Sequence, residues 1–354
     1  MWVVEDGVSV PSEVLDHPRT IVVRRESELY LRYLATAAYL VNNTSFASYF
    51  VRRPEQRYLN TWHGTPLKFL GRGVRGEFLN YGNIARNLLH VTHLAVANEW
   101  TARTLFNEHG VDGIFTGAVL TEGSPRNDVL CVRSESTNRR VQARLGLAAD
   151  DKVVVFAPTW RGRLDAVGGI EFDIDGTIEV LEAIEAAGYR PFYSAHRFVR
   201  EHVSDPRLQR HVIPADLDLY EVLAVADVLV TDYSSVYFDF LATGRPIVFF
   251  VPDEEEYRAT RGMYDLPMPG PRCADVPGLK EALTDLGKGA NVYQSEIDTA
   301  REEFAAHDDG NAAARVLEWF LGEPPEAREP NSTAYIFRHS FIPNGIASSF
   351  RALT

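Results

Sequence analysis

A chain of 354 residues, 45% hydrophobic and 24% charged, has room for two domains at roughly 100–200 residues each, and its composition excludes disorder, collagen and coiled coil. Lysine and arginine number 36 against 49 aspartates and glutamates, a formal net charge of −13. That balance argues against a nucleic-acid partner, because phosphate backbones demand a dense cationic field.

Thr20-Ile-Val-Val-Arg24 predicts a strand. Ser27 then caps a helix reaching Ala38, with Leu29, Leu31, Tyr33, Leu34 and Ala37 at mostly helical spacing. Tyr39–Asn42, Arg57–Trp62 and Thr92–Ala97 predict strands, and Glu99–Glu108 a helix. This alternation implies βαβ units and a mainly parallel sheet. The polar stretch 134–151, carrying a helix over Arg139–Leu145, divides the chain into halves 1–133 and 134–322. The pattern then restarts. Lys152–Ala157 is a continuous apolar run, as expected of a strand covered on both faces. Strands at Arg190–Ser194, Asp227–Asp232 and Pro246–Val251 alternate with helices at Gly176–Ala187, Asp218–Ala226 and Ser234–Thr243. Helices at Gly278–Leu286, Ser295–Ala306 and Asn311–Leu321 close the body. The expected fold is α/β: two Rossmann-type halves with a cleft between them.

Two cysteines, Cys131 and Cys273, lack CxxC spacing; a reducing compartment follows, without a disulfide framework or cysteine zinc site. No run approaches 18 apolar residues, and the N-terminus lacks the basic and apolar regions of a signal peptide. The expected location is cytoplasmic.

Five segments offer chemistry. In Asn60-Thr-Trp-His-Gly-Thr-Pro-Leu-Lys68, His63 sits on a Gly/Pro turn at the C-terminal end of a strand, where α/β sheets bind ligands. Its imidazole serves either as a general base near neutral pH or as a turn residue satisfied by backbone. In Asp227-Val-Leu-Val-Thr-Asp-Tyr-Ser-Ser235, the hydroxyls of Thr231, Ser234 and Ser235 meet a helix start, which suits a phosphate, a helix cap, or both. His196, followed by Arg197 and Arg200, either neutralises a pyrophosphate or is structural. Thr159 and Arg161, after the apolar strand, face the cleft. Arg126 and Asp128, in Gly123-Ser-Pro-Arg-Asn-Asp128, either face the cleft or form a hinge pair. Converging Lys68, Arg126, Arg161, Arg163, His196, Arg197, Arg200 and Arg261 would give an acidic protein a cationic cleft suited to a diphosphate. No Asp/Glu/His cluster has metal-ligand spacing, so no metal or cofactor is specified.

Taken in order, Leu59–Lys68, Gly123–Asp128, Ala157-Pro-Thr-Trp-Arg161, Ala195-His196, Val230–Ser235, Arg261-Gly262 with Pro269-Gly-Pro271, and Asp309-Gly-Asn-Ala312 resemble the CDP-glycerol glycerophosphotransferase family of teichoic acid and capsule primases and polymerases. The resemblance covers roughly residues 1 to 322. It implies a GT-B-like architecture and transfer of glycerol phosphate, or another polyol phosphate, from a CDP-activated donor to a hydroxyl acceptor, with release of CMP. It implies that His63 is the catalytic base, that His196 contacts the donor pyrophosphate, and that Asp232, Ser234 and Ser235 hold donor phosphates and glycerol. Arg261 lies near the donor, and Arg126, Asn127 and Asp128 form a cleft signature. With Thr65, Lys68, Thr159 and Arg161, these make the expected substrate-binding set. The acceptor is expected to be lipid-linked or polymeric, with peripheral association at the inner membrane face. A nucleotide-sugar glycosyltransferase and a non-catalytic remnant are the rivals.

Two features depart from the family. Arg197 follows His196 where proline is common. The first strand and helix of the fold also read as missing. After the Pro/Glu-rich linker Leu321–Pro330, the tail from Ala334 reads as a strand, an Asn-Gly turn and a helix start, either the opening of a further GT-B domain or a docking tail.

Overall fold

The computed structural model describes residues 1–5, 10, 12–74, 81–132, 134–159, 173–195 and 204–322. Arg161, Arg163, His196, Arg197, Arg200 and the tail 323–354 lie outside them. Strands β1 (Trp2–Val4) and β2 (Val22–Arg24) pair in a small separate sheet. The sheet of the first half takes β3 (Tyr39–Asn42), β4 (Arg57–Asn60), β5 (His93–Ala95) and β6 (Ala118–Leu120) in that spatial order. The second half contains β7 (Val153–Ala157), β8 (Arg190–Tyr193), β9 (Val228–Thr231), β10 (Ile247–Phe250) and β11 (Arg272–Cys273). All strand pairings within both sheets are parallel, because helical crossovers return the chain to the same edge each time.

The spatial order of the second sheet is β8-β7-β9-β10-β11. From β7 the chain goes to one side for β8 and then crosses to the other for β9. That reversal makes the β7/β9 junction a topological switch point, where a doubly wound sheet opens a crevice beyond its strand ends. The apolar run of β7 is wholly buried. Val153, Val155 and Ala157 enter a core shared with Leu223, Tyr237 and Phe304. Val154 and Phe156 pack on the opposite face with Leu181, Ile184 and Leu283. Alternate residues of one strand therefore serve two helix layers.

The first sheet is covered by two different parts of the chain. Tyr58 and Leu94 pack beneath Leu34, Leu88 and Leu105 of the local helices. Leu59 and Ala95, on the other face, are covered by Val316 and Phe320 of helix Ala312–Leu321. This last helix, assigned to the second half by chain order, crosses back to close the first.

Its seat includes His93, which is 1% exposed. The His93 ring lies edge-on to Trp319 and Phe320 at 4.7 and 5.2 Å, and Arg57 Nη2 sits 3.1 Å from its Nε2. Burial, helped by the Arg57 charge, pushes its pKa down to about 4. Between the usual histidine pKa and that value, the unfolded chain binds a proton that the folded chain refuses, so stability drains away as pH falls through this window. Buried Asp308 runs the other way, its carboxyl pushed up to about 6, so the variant comparison isolates the histidine. His93→Gln should remove about 2–3 kcal/mol of acid-dependent destabilisation between pH 6.5 and pH 4, at one pKa unit per 1.4 kcal/mol. Denaturant titrations of both chains at the two pH values check this; parallel losses in both would refute it.

Candidate active site

β4 ends at Asn60, and the next three residues build the turn that presents His63. Asn60 is buried, and its Oδ1 accepts the Trp62 N–H at 2.8 Å. Trp62 takes a left-handed conformation, with φ of 51°. For a bulky residue this is strained. It reverses the chain and leaves the His63 ring exposed against the indole, with centroids 4.2 Å apart. The His63 Nδ1 lies 2.9 Å from the carbonyl oxygen of Asn43. That oxygen can only accept, so Nδ1 carries the hydrogen and Nε2 keeps its lone pair. The surrounding protein and the Arg126 charge hold the imidazole below the usual histidine pKa, although its edge faces solvent, and the Asn43 carbonyl opposes them. The ring is therefore neutral and basic at Nε2 at physiological pH.

Across from this turn stands the second half. At Gly64, φ is 128°, and a Cβ there would sit 2.5 Å from Arg126 Nη2 and 3.6 Å from Ser235 Oγ. Glycine is thus favoured by conformation and by the approach of the Arg126 guanidinium, with Ser235 Oγ at ordinary contact distance. Motifs about 60 and 170 residues apart in sequence meet here. Ser235 precedes helix Val236–Phe240 and makes no capping bond with its side chain, whereas Ser234 Oγ accepts the Val236 N–H at 3.4 Å. Asp232, at the end of β9, is buried and accepts the Thr159 N–H at 2.7 Å. This bond ties the loops after β7 and β9 together at the switch point, and the Thr159 hydroxyl is buried there without a hydrogen-bond partner among the described residues.

The loop after Gly64 fastens one half to the other. Lys68 forms an isolated bridge with Met263, and the Phe69 N–H donates to Gly262 O at 3.2 Å. Gly262 has φ of 71°, and a Cβ there would strike the Phe69 ring at 2.3 Å. This contact seats Arg261, exposed at the end of helix Glu254–Arg261, beside the first half. Lys68 Nζ lies 5.5 Å from the centroid of the Tyr257 ring.

Four expected substrate ligands are already engaged by other parts of the chain. Thr65 is 2% exposed, and its Oγ1 accepts from Asn98 Nδ2 at 2.9 Å. Asn127 is buried and donates to Asp308 Oδ2 at 2.9 Å. The two carboxylate oxygens of Asp128 accept the Ala312 and Ala313 N–H groups at 2.9 and 2.8 Å. Arg126 does not pair with Asp128. Its Nη2 meets Asp239 Oδ2 at 2.6 Å and its Nη1 donates to the His63 carbonyl at 2.8 Å, so its charge is already matched. The sequence reading missed Asp239, Asp308, Tyr220 and the Asn43 carbonyl. Asp239 did leave a signal: a lone carboxylate inside the apolar run Val236-Tyr-Phe-Asp-Phe-Leu-Ala242 must find a buried partner. Among the described residues no group of three acidic, histidine or cysteine side chains is arranged to hold a metal, and no helix is long and apolar enough to cross a membrane.

A family profile described as CDP-Glycerol:Poly(glycerophosphate) glycerophosphotransferase matches residues 1–321. Among curated proteins, a teichoic acid poly(glycerol phosphate) polymerase of Bacillus spizizenii is 30% identical over 325 residues, covering 88% of this chain and 81% of the relative. A protein of the same description from Bacillus subtilis is 29% identical over 89% of this chain, which spans only 43% of that longer relative. A teichoic acid glycerol-phosphate transferase of Staphylococcus aureus is 27% identical, with 85% and 80% covered. Among solved structures, the wall teichoic acid polymerase TagF superimposes with a TM-score of 0.72 at 27% identity, covering 85% of this chain and 76% of that one. A variant of it soaked with CDPG gives 0.74. The two Rossmann-like halves are thus those of a GT-B-like fold.

Proposed function

Because the chain belongs to the CDP-Glycerol:Poly(glycerophosphate) glycerophosphotransferase family, and is an enzyme of that type, we propose that it transfers glycerol phosphate from CDP-glycerol to a hydroxyl of a lipid-linked or polymer acceptor in teichoic acid-type envelope synthesis. The observation that carries this reading is His63, whose Nδ1 is engaged by the Asn43 carbonyl and whose turn faces Ser235 of the other half.

The acceptor oxygen attacks the glycerol-bearing phosphorus of the donor. A new P–O bond forms as the bond to the bridging oxygen breaks, and CMP departs with that oxygen. The hydroxyl proton passes to His63 Nε2. Ser234 and Ser235, with amides at the switch point, face the donor phosphates, and exposed Arg261 offsets their charge. Thr159 contributes its buried hydroxyl in the same crevice. His196 and Arg161, outside the described residues, stand on the donor side in this proposal. The lipid-linked acceptor places the enzyme at the inner face of the membrane as a peripheral protein.

Chromatography of the nucleotide released from a donor panel tests the reading. CMP from CDP-glycerol, with a lipid-linked glycerol phosphate acceptor, is the expected product. UDP or GDP from nucleotide sugars, with no CMP, would replace it with a glycosyltransferase.

A further inference from the structure

The arginine beside His63 is itself held by a group that no part of the donor or acceptor chemistry requires. Asp239 is 4% exposed in helix Val236–Phe240 of the second half. Its carboxylate receives Arg126 through two bonds, Nη2 to Oδ2 at 2.6 Å and Nε to Oδ1 at 3.3 Å. The Tyr220 hydroxyl donates to the same Oδ2 at 2.9 Å, and the Tyr220 ring lies against the guanidinium with 5.3 Å between centroid and Cζ. With two bonds and a ring face occupied, Arg126 has its remaining Nη1 aimed at the His63 carbonyl, 2.8 Å away. The chain of contacts runs from Tyr220 and Asp239 in one half, through Arg126, to the main chain of the strained turn at Trp62–His63. The guanidinium is planar, so fixing one edge fixes the direction of the other.

We infer that Asp239 is a positioning residue for the reaction: it holds Arg126 across the boundary between the halves, and Arg126 holds the main chain that presents the His63 imidazole to the acceptor. The inference rests on His63 being the base. It adds that docking of the two halves completes the support of the imidazole, because the anchor of Arg126 lies in the half that carries the donor-side serines, while Asn43 and Trp62 hold the ring from its own half. Asp239 touches neither substrate. Its loss therefore acts on the chemical step and not on donor binding, whereas an arginine used as a donor ligand would act on binding.

Asp239→Asn keeps the shape and removes the charge. The expected result is a kcat for CMP release lower by about ten- to hundredfold, the scale of a slightly misplaced catalytic group, with KM for CDP-glycerol within about twofold of the parent. The imidazole resonances of His63 should also move in the NMR spectrum of the full chain. Tyr220→Phe, which keeps the ring and removes one hydrogen bond, should change the same quantities less and in the same direction, and it carries the test if Asp239→Asn does not fold. A folded Asp239→Asn chain with parental kcat would overturn the inference, as would a raised KM with kcat unchanged. If the parent chain releases no CMP at all, the proposed reaction fails instead. The His63 resonances then decide the structural claim alone, and unchanged resonances would end it.

Discussion

Replacing His63 with alanine is expected to lower CMP release from CDP-glycerol by about 10²- to 10⁴-fold, the usual contribution of a positioned general base. The fold should survive, because the ring is exposed and its one described hydrogen bond goes to the Asn43 carbonyl. The pH profile supplies a second reading. His63 is held below the usual histidine pKa, so kcat/KM should stay flat through neutrality. It should decline only once acid protonates Nε2, at a pH below that of an unperturbed imidazole. A folded His63→Ala chain with near-parental turnover, or an acid limb centred at or above the ordinary histidine value, would remove His63 from the mechanism.

The second large effect falls on stability. Asp128→Ala deletes the carboxylate that accepts the Ala312 and Ala313 N–H groups, where helix Ala312–Leu321 begins its return to the first sheet. Two charge-assisted bonds to a helix start are lost, and the cost should be about 2–4 kcal/mol. The loss will not stay local, since that helix covers Leu59 and Ala95. Urea unfolding of the two chains measures it. If Asp128 were instead a substrate ligand, the variant would keep its stability and lose donor affinity.

The contrast between Asp128 and His63 shows what the sequence could and could not disclose. The strand β7 was legible because five consecutive apolar residues, covered on both faces, leave no amphipathic alternative. The helix after Ser27 was legible from its cap, which accepts the Tyr30 N–H as expected. Strand β6 was not, because Ala118–Leu120 is only half buried and too short to show a period. Helix Glu254–Arg261 was hidden by three leading glutamates and a single buried residue, Tyr257. The expected helix Ser234–Thr243 is α-helical only over Val236–Phe240. It tightens into a 3₁₀ turn over Leu241–Thr243, which Gly244 ends at φ of 66°.

At the site, a histidine on a Gly/Pro turn after a strand announces itself. Its partners do not. The Asn43 oxygen belongs to the backbone, which any residue would supply. Arg126 and Asp239 lie 113 residues apart, and only the packing of the two halves brings them together. The Gly123–Asp128 segment was recognisable as a motif, yet its residues mostly bind other parts of the same chain. A motif marks a demanding local geometry, and here the demand is architectural for Asn127 and Asp128.

Those residues give the molecule a mechanical character. Among the described residues, the stretches Ser124–Asp128 and Ala305–Ala313 lie side by side at the junction of the halves, and the two are sewn together. Asp308 accepts the Ser124 N–H at 2.7 Å as well as the Asn127 amide, its carbonyl takes the Cys131 thiol, and Asp128 grips the start of the last helix. A single linker would act as a swivel. Two stitched plies act as a strap, compliant to bending across its width and stiff to torsion. Together with the Lys68–Met263 bridge and the Phe69–Gly262 bond beside the site, these tied stretches hold the His63 turn and Ser235 in register across the boundary.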